Sequence, residues 1–80
     1  MVATAYVLIS VKAGMARRVY ESLTRLGNVQ HVDVVSGPHD MIATVQGPDF
    51  AAIGRLVMDK LGQTEGITDT ITCHVIPVEQ

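Results

Sequence analysis

Val29-Gln30-His31-Val32-Asp33-Val34-Val35-Ser36-Gly37-Pro38-His39-Asp40-Met41-Ile42-Ala43-Thr44-Val45-Gln46 sets two short apolar runs around a Gly-Pro turn signal. In residues 29–36, Val32 and Val34 share one face, and His31, Asp33 and Val35 share the other. That two-residue period belongs to a half-buried strand. Pro38 suits the second position of a type I turn. Residues 41–46 form a further short strand, so the stretch predicts a β-hairpin.

Outward from the hairpin, the hydrophobic period changes several times. Residues 3–11 are rich in β-branched and aromatic side chains, which suit a pleated surface. Val7, Ile9 and Val11 point to one face, Tyr6 and Leu8 to the other. Residues 15–26 switch to helical spacing: Val19, Leu23 and Leu26 line one stripe with Met15 or Ala16, while Arg17, Arg18, Glu21 and Arg25 face away. Gly27-Asn28 is a helix stop. Gly47-Pro48-Asp49 ends the third strand and offers Asp49 as an N-cap. Residues 50–61 place Phe50, Ile53, Val57 and Leu61 on one helical stripe, and Gly62 is a C-cap candidate. After the loop Thr64-Glu65-Gly66, residues 67–76 form the last strand. Ile71, Cys73 and Val75 share one of its faces, and Thr68, Thr70, Thr72 and His74 the other.

The order is β-α-β-β-α-β. The predicted fold class is therefore α+β: a ferredoxin-like βαββαβ domain, a four-stranded antiparallel sheet with both helices on one face. The other sheet face is bare, with Tyr6, Leu8, Val35 and Ile76 expected on it. An uncovered apolar face marks an interaction surface, so face-to-face dimerisation is expected. Cys73 is expected as a small core residue on the helix-covered face.

Composition narrows the function classes. The 80 residues are 48% hydrophobic and 18% charged, which excludes an intrinsically disordered tail. No apolar run is long enough for a membrane span, and residues 1–10 lack the basic leader of a signal peptide. The single cysteine cannot pair internally, so a cytoplasmic location is expected. Net charge is −2, and Arg17, Arg18, Arg25, Arg55 and Lys60 are spread among acids on two helices. That argues against direct nucleic-acid binding, which wants a basic footprint. The third strand carries no aromatic for base stacking. A Cys-x-x-Cys pair and a Gly-rich phosphate loop are both missing, so no cofactor is expected. No His pair has zinc-site spacing, so no metal is expected either.

Few side chains carry chemistry. His39 sits in a turn held by Gly and Pro. Asp40 suits backbone bonding within the turn and, compatibly, reception of a ligand ammonium group. Thr68, Thr70 and Thr72 fit ordinary β-propensity. Equally, they offer a row of hydroxyls to a zwitterion's carboxylate.

The stretch Ser36-Gly37-Pro38-His39-Asp40-Met41-Ile42-Ala43-Thr44-Val45, with residues 50–61, Gly66-Ile67 and Thr70-Ile71-Thr72, resembles the C-terminal effector (RAM) domain of the Lrp/AsnC transcriptional regulators of amino-acid metabolism. The resemblance covers essentially the whole chain as one domain, 1–80. It lacks the helix-turn-helix DNA-binding domain that family members typically carry before this module, so it is similar to the stand-alone members. The resemblance implies homodimers that assemble further into ring-like oligomers. It also implies an amino-acid effector bound between dimers, and no catalysis. By position it assigns effector contacts to Gly37, His39, Asp40 and Thr70, with Thr72 as a further candidate. Asp40 would attract the ammonium group and Thr70 would bond the carboxylate. Many family members have an aromatic residue where this chain has His39. Such a module would act alone as a sensor or co-assemble with full-length regulators. Two other readings stay open: a small dimeric α+β barrel enzyme offering His31, Asp33, Tyr6 and His74 on the open sheet face, and a ligand-free oligomerisation module.

Overall fold

A computed structural model describes residues 2–78. It contains β1 (Ala3–Val11), α1 (Ala16–Thr24), β2 (Val29–Val34), β3 (Met41–Gly47), α2 (Phe50–Leu56) continued by a π-helical turn (Val57–Leu61), and β4 (Ile67–His74). The strands form one sheet in the order β2-β3-β1-β4. Every neighbouring pair is antiparallel. This is the ferredoxin-like arrangement expected from the sequence.

The core follows from the two periods. Ala5, Val7 and Ile9 of β1 and Met41, Ala43 and Val45 of β3 are fully buried on one sheet face. Val19 and Leu23 of α1, Ile53 of α2 and Leu61 of the π turn pack on that face in the same cluster. Both helices therefore cover one side of the sheet.

Local chemistry fixes the ends of the elements. Asp49 caps α2, its Oδ1 accepting from the Ala52 N–H at 2.7 Å, as its position before an apolar run predicts. Helix α1 stops at Thr24, short of the expected Leu26. The Leu26 N–H already bonds Leu23 O, tightening the last turn ahead of Gly27-Asn28. The Asn28 amide donates to Gln46 O and ties the start of β2 to the end of β3. Gly66 enters β4 at φ +99, where a Cβ would lie 2.9 Å from Val19 Cγ2. Glycine alone combines that backbone with that close approach.

Three local expectations are corrected. The β2–β3 connection is not a four-residue type I turn. Val35 N–H bonds Asp40 O, closing a wider loop that begins after Val34. Cys73 is not on the helix-covered face: it pairs with Tyr6, while Thr70 and Thr72 pair with the buried Ile9 and Val7. Cys73 therefore lies on the open face and is exposed, and the threonines face the helix side. The open face itself is built by Tyr6, Leu8, Ile42 and Ile71: Leu8 pairs with Ile42 and Ile71, and Tyr6 with Thr44 and Cys73. Val35 has left the strand for the loop, and Ile76 lies beyond the end of β4.

Candidate functional site

The β2–β3 loop closes against the end of β1, and Asp40 makes the closure. Its N–H donates to Ile9 O and its carbonyl accepts from Val35 N–H, both at 2.9 Å. Its carboxylate Oδ2 accepts from the Val11 N–H at 2.8 Å. The β1–β3 ladder ends at the Ile9–Met41 pair, so that N–H lies just beyond it. Asp40 thus satisfies a backbone donor past the end of that ladder. The carboxylate was expected to bond backbone within its own turn; it bonds instead to the backbone of β1, 29 positions away.

The second carboxylate oxygen, Oδ1, has no hydrogen-bond or ion-pair partner among the described residues. Asp40 is half-buried, and no buried side-chain oxygen or nitrogen among the described residues goes unpartnered. Oδ1 is therefore open to solvent.

His39 lies beside it, also half-buried. Its Nδ1 sits 3.3 Å from Ser10 Oγ. Ser10 alternates with the buried Ile9, so its hydroxyl stands on the open-face side of β1. The backbone carbonyl of the same Ser10 accepts from the Thr68 hydroxyl at 3.2 Å. Gly37 is exposed, with nothing within 4 Å of the place a Cβ would take.

Thr70 and Thr72 are half-buried on the helix-covered side of β4. The structure thus brings His39 and Asp40 together at one end of the sheet and leaves Thr70 and Thr72 on a different face from the Ser10 hydroxyl. Ser10 itself was not singled out from the sequence. Its contact with His39 arises from the loop closing on β1, which no local motif announces.

The residues weighed for an enzymatic reading are divided. His31, Asp33 and Tyr6 do lie on the open face; His31 Nε2 is 3.0 Å from Asp33 Oδ1 on the exposed edge strand. His74 is on the other side, its ring 4.3 Å from that of Phe50. At the end of the sheet opposite Asp40, a shallow groove of about 340 Å³ is lined by Val2, Ala3, Thr4, Pro48, Asp49, Phe50, Val75 and Pro77. Among the described residues no three His, Cys, Asp or Glu side chains group to hold a metal ion. No helix there is long and apolar enough to cross a membrane.

Residues 4–78 match the model of the Lrp/AsnC ligand-binding domain. An uncharacterized HTH-type transcriptional regulator of Pyrococcus horikoshii is 35% identical over 72 residues, covering 86% of this chain and 48% of the relative. The chain thus spans about half the length of the Pyrococcus regulators it matches. The crystal structure of a Thermus thermophilus protein superposes with a TM-score of 0.90 at 27% identity, covering 98% of each chain. A Neisseria meningitidis transcriptional regulator, solved as a complex with L-Met, shares the fold at a TM-score of 0.85 and 19% identity. That match covers 94% of this chain and 50% of the regulator.

Proposed function

The chain belongs to the Lrp/AsnC ligand-binding domain family, and from that premise we propose that it is an amino-acid-responsive assembly module. The observation that carries the reading is the carboxylate of Asp40. One oxygen is fixed by the Val11 N–H, and the other is open to solvent with no cation beside it among the described residues. A held carboxylate with a free lone-pair side is a receptor for an ammonium group. The L-Met complex of the Neisseria regulator supports an amino acid as the class of effector.

Thr70, with Thr72, supplies hydroxyls for the effector's carboxylate, and the exposed backbone around Gly37 supplies further polar groups. Because Thr70 and the His39–Ser10 pair stand on different faces, the reading takes the turn from one copy and the hydroxyls from a neighbouring copy. Effector binding then biases assembly, since a ligand shifts an equilibrium toward the form that binds it better. The bare face of Tyr6, Leu8, Ile42 and Ile71 pairs two copies into the dimer from which rings are built. The module acts in the cytoplasm without catalysis, alone or by co-assembling with longer regulators of the family.

A thermal-shift screen against the twenty amino acids at fixed protein concentration tests this. A ligand at 100 times its dissociation constant adds about 2.7 kcal/mol. A selective shift that is lost in Asp40→Asn is expected. No shift with any amino acid overturns the effector reading in favour of a ligand-free oligomerisation module.

A further inference from the structure

We propose that His39, positioned by Ser10, makes this site select amino acids with an uncharged polar side chain, either a carboxamide or a hydroxyl. The inference rests on the effector reading above and names the class of effector.

Three observations carry it. The His39 ring is half-buried and fixed at one nitrogen: Nδ1 meets Ser10 Oγ at 3.3 Å. The other nitrogen, Nε2, has no hydrogen-bond partner among the described residues. Since no buried side-chain nitrogen there lacks a partner, Nε2 faces solvent. The open oxygen of its neighbour Asp40 is the ammonium receptor of the proposal, so the ring stands next to the bound effector's α-carbon and within range of its side chain.

The chemistry at Nε2 is complementary to the state of Nδ1. A serine hydroxyl both donates and accepts. If Ser10 donates, Nε2 carries the proton and donates onward; if Ser10 accepts, Nε2 is a lone pair. A carboxamide or a hydroxyl satisfies either case, because each both donates and accepts. An aliphatic side chain satisfies neither and strips water from the ring nitrogen. Acidic side chains are opposed by charge. Asp40 is the ring's neighbour in sequence, and Asp69 is the cross-strand partner of Ser10, exposed near the start of β4. A lysine ammonium only donates, so it meets Nε2 in one of the two cases alone.

The experiment is calorimetric titration of the wild-type chain with L-glutamine, L-serine, L-leucine, L-methionine, L-glutamate and L-lysine. Glutamine or serine is expected to bind roughly tenfold more tightly than leucine, the worth of one hydrogen bond. His39→Leu is expected to erase that ratio, with glutamine losing affinity and leucine gaining it. Ser10→Ala is expected to reduce glutamine affinity severalfold, and Ser10→Thr, which keeps the hydroxyl, to restore it. Glutamine, but not leucine, is expected to shift the ¹⁵N resonance of His39 Nε2. The inference is overturned if leucine, methionine, glutamate or lysine binds more tightly than both polar ligands. It is equally overturned if His39→Leu leaves the glutamine-to-leucine ratio unchanged. In either case the effector reading survives, because amino acids still bind. Absence of binding by every amino acid overturns both.

Discussion

Asp40 is anchored through its N–H, its carbonyl and one carboxylate oxygen, so its two roles can be separated by substitution. Asp40→Ala leaves the Val11 N–H without its acceptor, a loss of about 1–3 kcal/mol. Asp40→Asn keeps an oxygen for that N–H and removes only the charge. The alanine variant is therefore expected to melt at least about 4 °C lower. The asparagine variant is expected to melt within a degree or two of wild type while losing any amino-acid response. Thermal melts with and without ligand check both. At Gly66, alanine meets a φ of +99 and the Val19 methyl at 2.9 Å. Gly66→Ala is expected to cost at least about 1–2 kcal/mol in urea denaturation. How much of the site was legible differs residue by residue. The Asp49 cap is local, so the sequence shows it. Asp40 was recognisable as a turn residue, but its partner Val11 is 29 positions away. Ser10 acquires its role only where the β2–β3 loop closes back on β1, 29 positions away, and nothing in residues 3–11 encodes that.

The second helix shows how an element can match its predicted bounds and still differ in phase. Residues 50–61 are helical as expected, but Val57–Leu61 forms a π turn, closed by Gly62 N–H on Val57 O at 2.8 Å. In an unbroken α-helix Ile53 and Leu61, eight residues apart, would diverge by about 80°. One extra residue in the turn brings them to about 20°. Both are buried, whereas Phe50 is turned to the margin and left 46% exposed against His74. Phe50 precedes the π turn, so its exposure is not a matter of phase: it opens α2, at the margin of the covered face. Deleting Met58, which is 72% exposed within the wide turn, is expected to restore α spacing and keep Leu61 in the core, at less than about 1 kcal/mol. Leu61→Ala is expected to cost about 2–5 kcal/mol. Chemical denaturation of the two variants separates phase from packing. Strand β4 has the same lesson in period two. Its alternation was clear from the sequence, but which face was covered was not: an edge strand under thin helix cover tolerates threonines inward, leaving Ile71 and Cys73 outward.

The whole molecule is thin, 42 × 25 × 17 Å, with a radius of gyration of 12.4 Å against about 11.6 Å for a compact chain of this length. Its accessible surface is 5377 Å², whereas a monomer of 8.6 kDa ordinarily shows about 4,700 Å². The excess fits a two-layer slab whose second sheet face, with Tyr6 and Ile71 more than two-fifths exposed, is made to be covered. Ile71→Asp is expected to shift sedimentation from oligomer to monomer and to make the melting temperature independent of protein concentration. A monomeric wild type at micromolar concentration would overturn that expectation. The strand order carries one more consequence, in time instead of space. β1, made before the other strands of this sheet, lies inside it, and one of its two partners is β4, the last of the four to be made. The pairing of Ala5 with His74 closes a loop of nearly the entire chain. Such non-local pairing slows folding. Until the final strand emerges, one edge of β1 stays unpaired, open to the nascent chains around it.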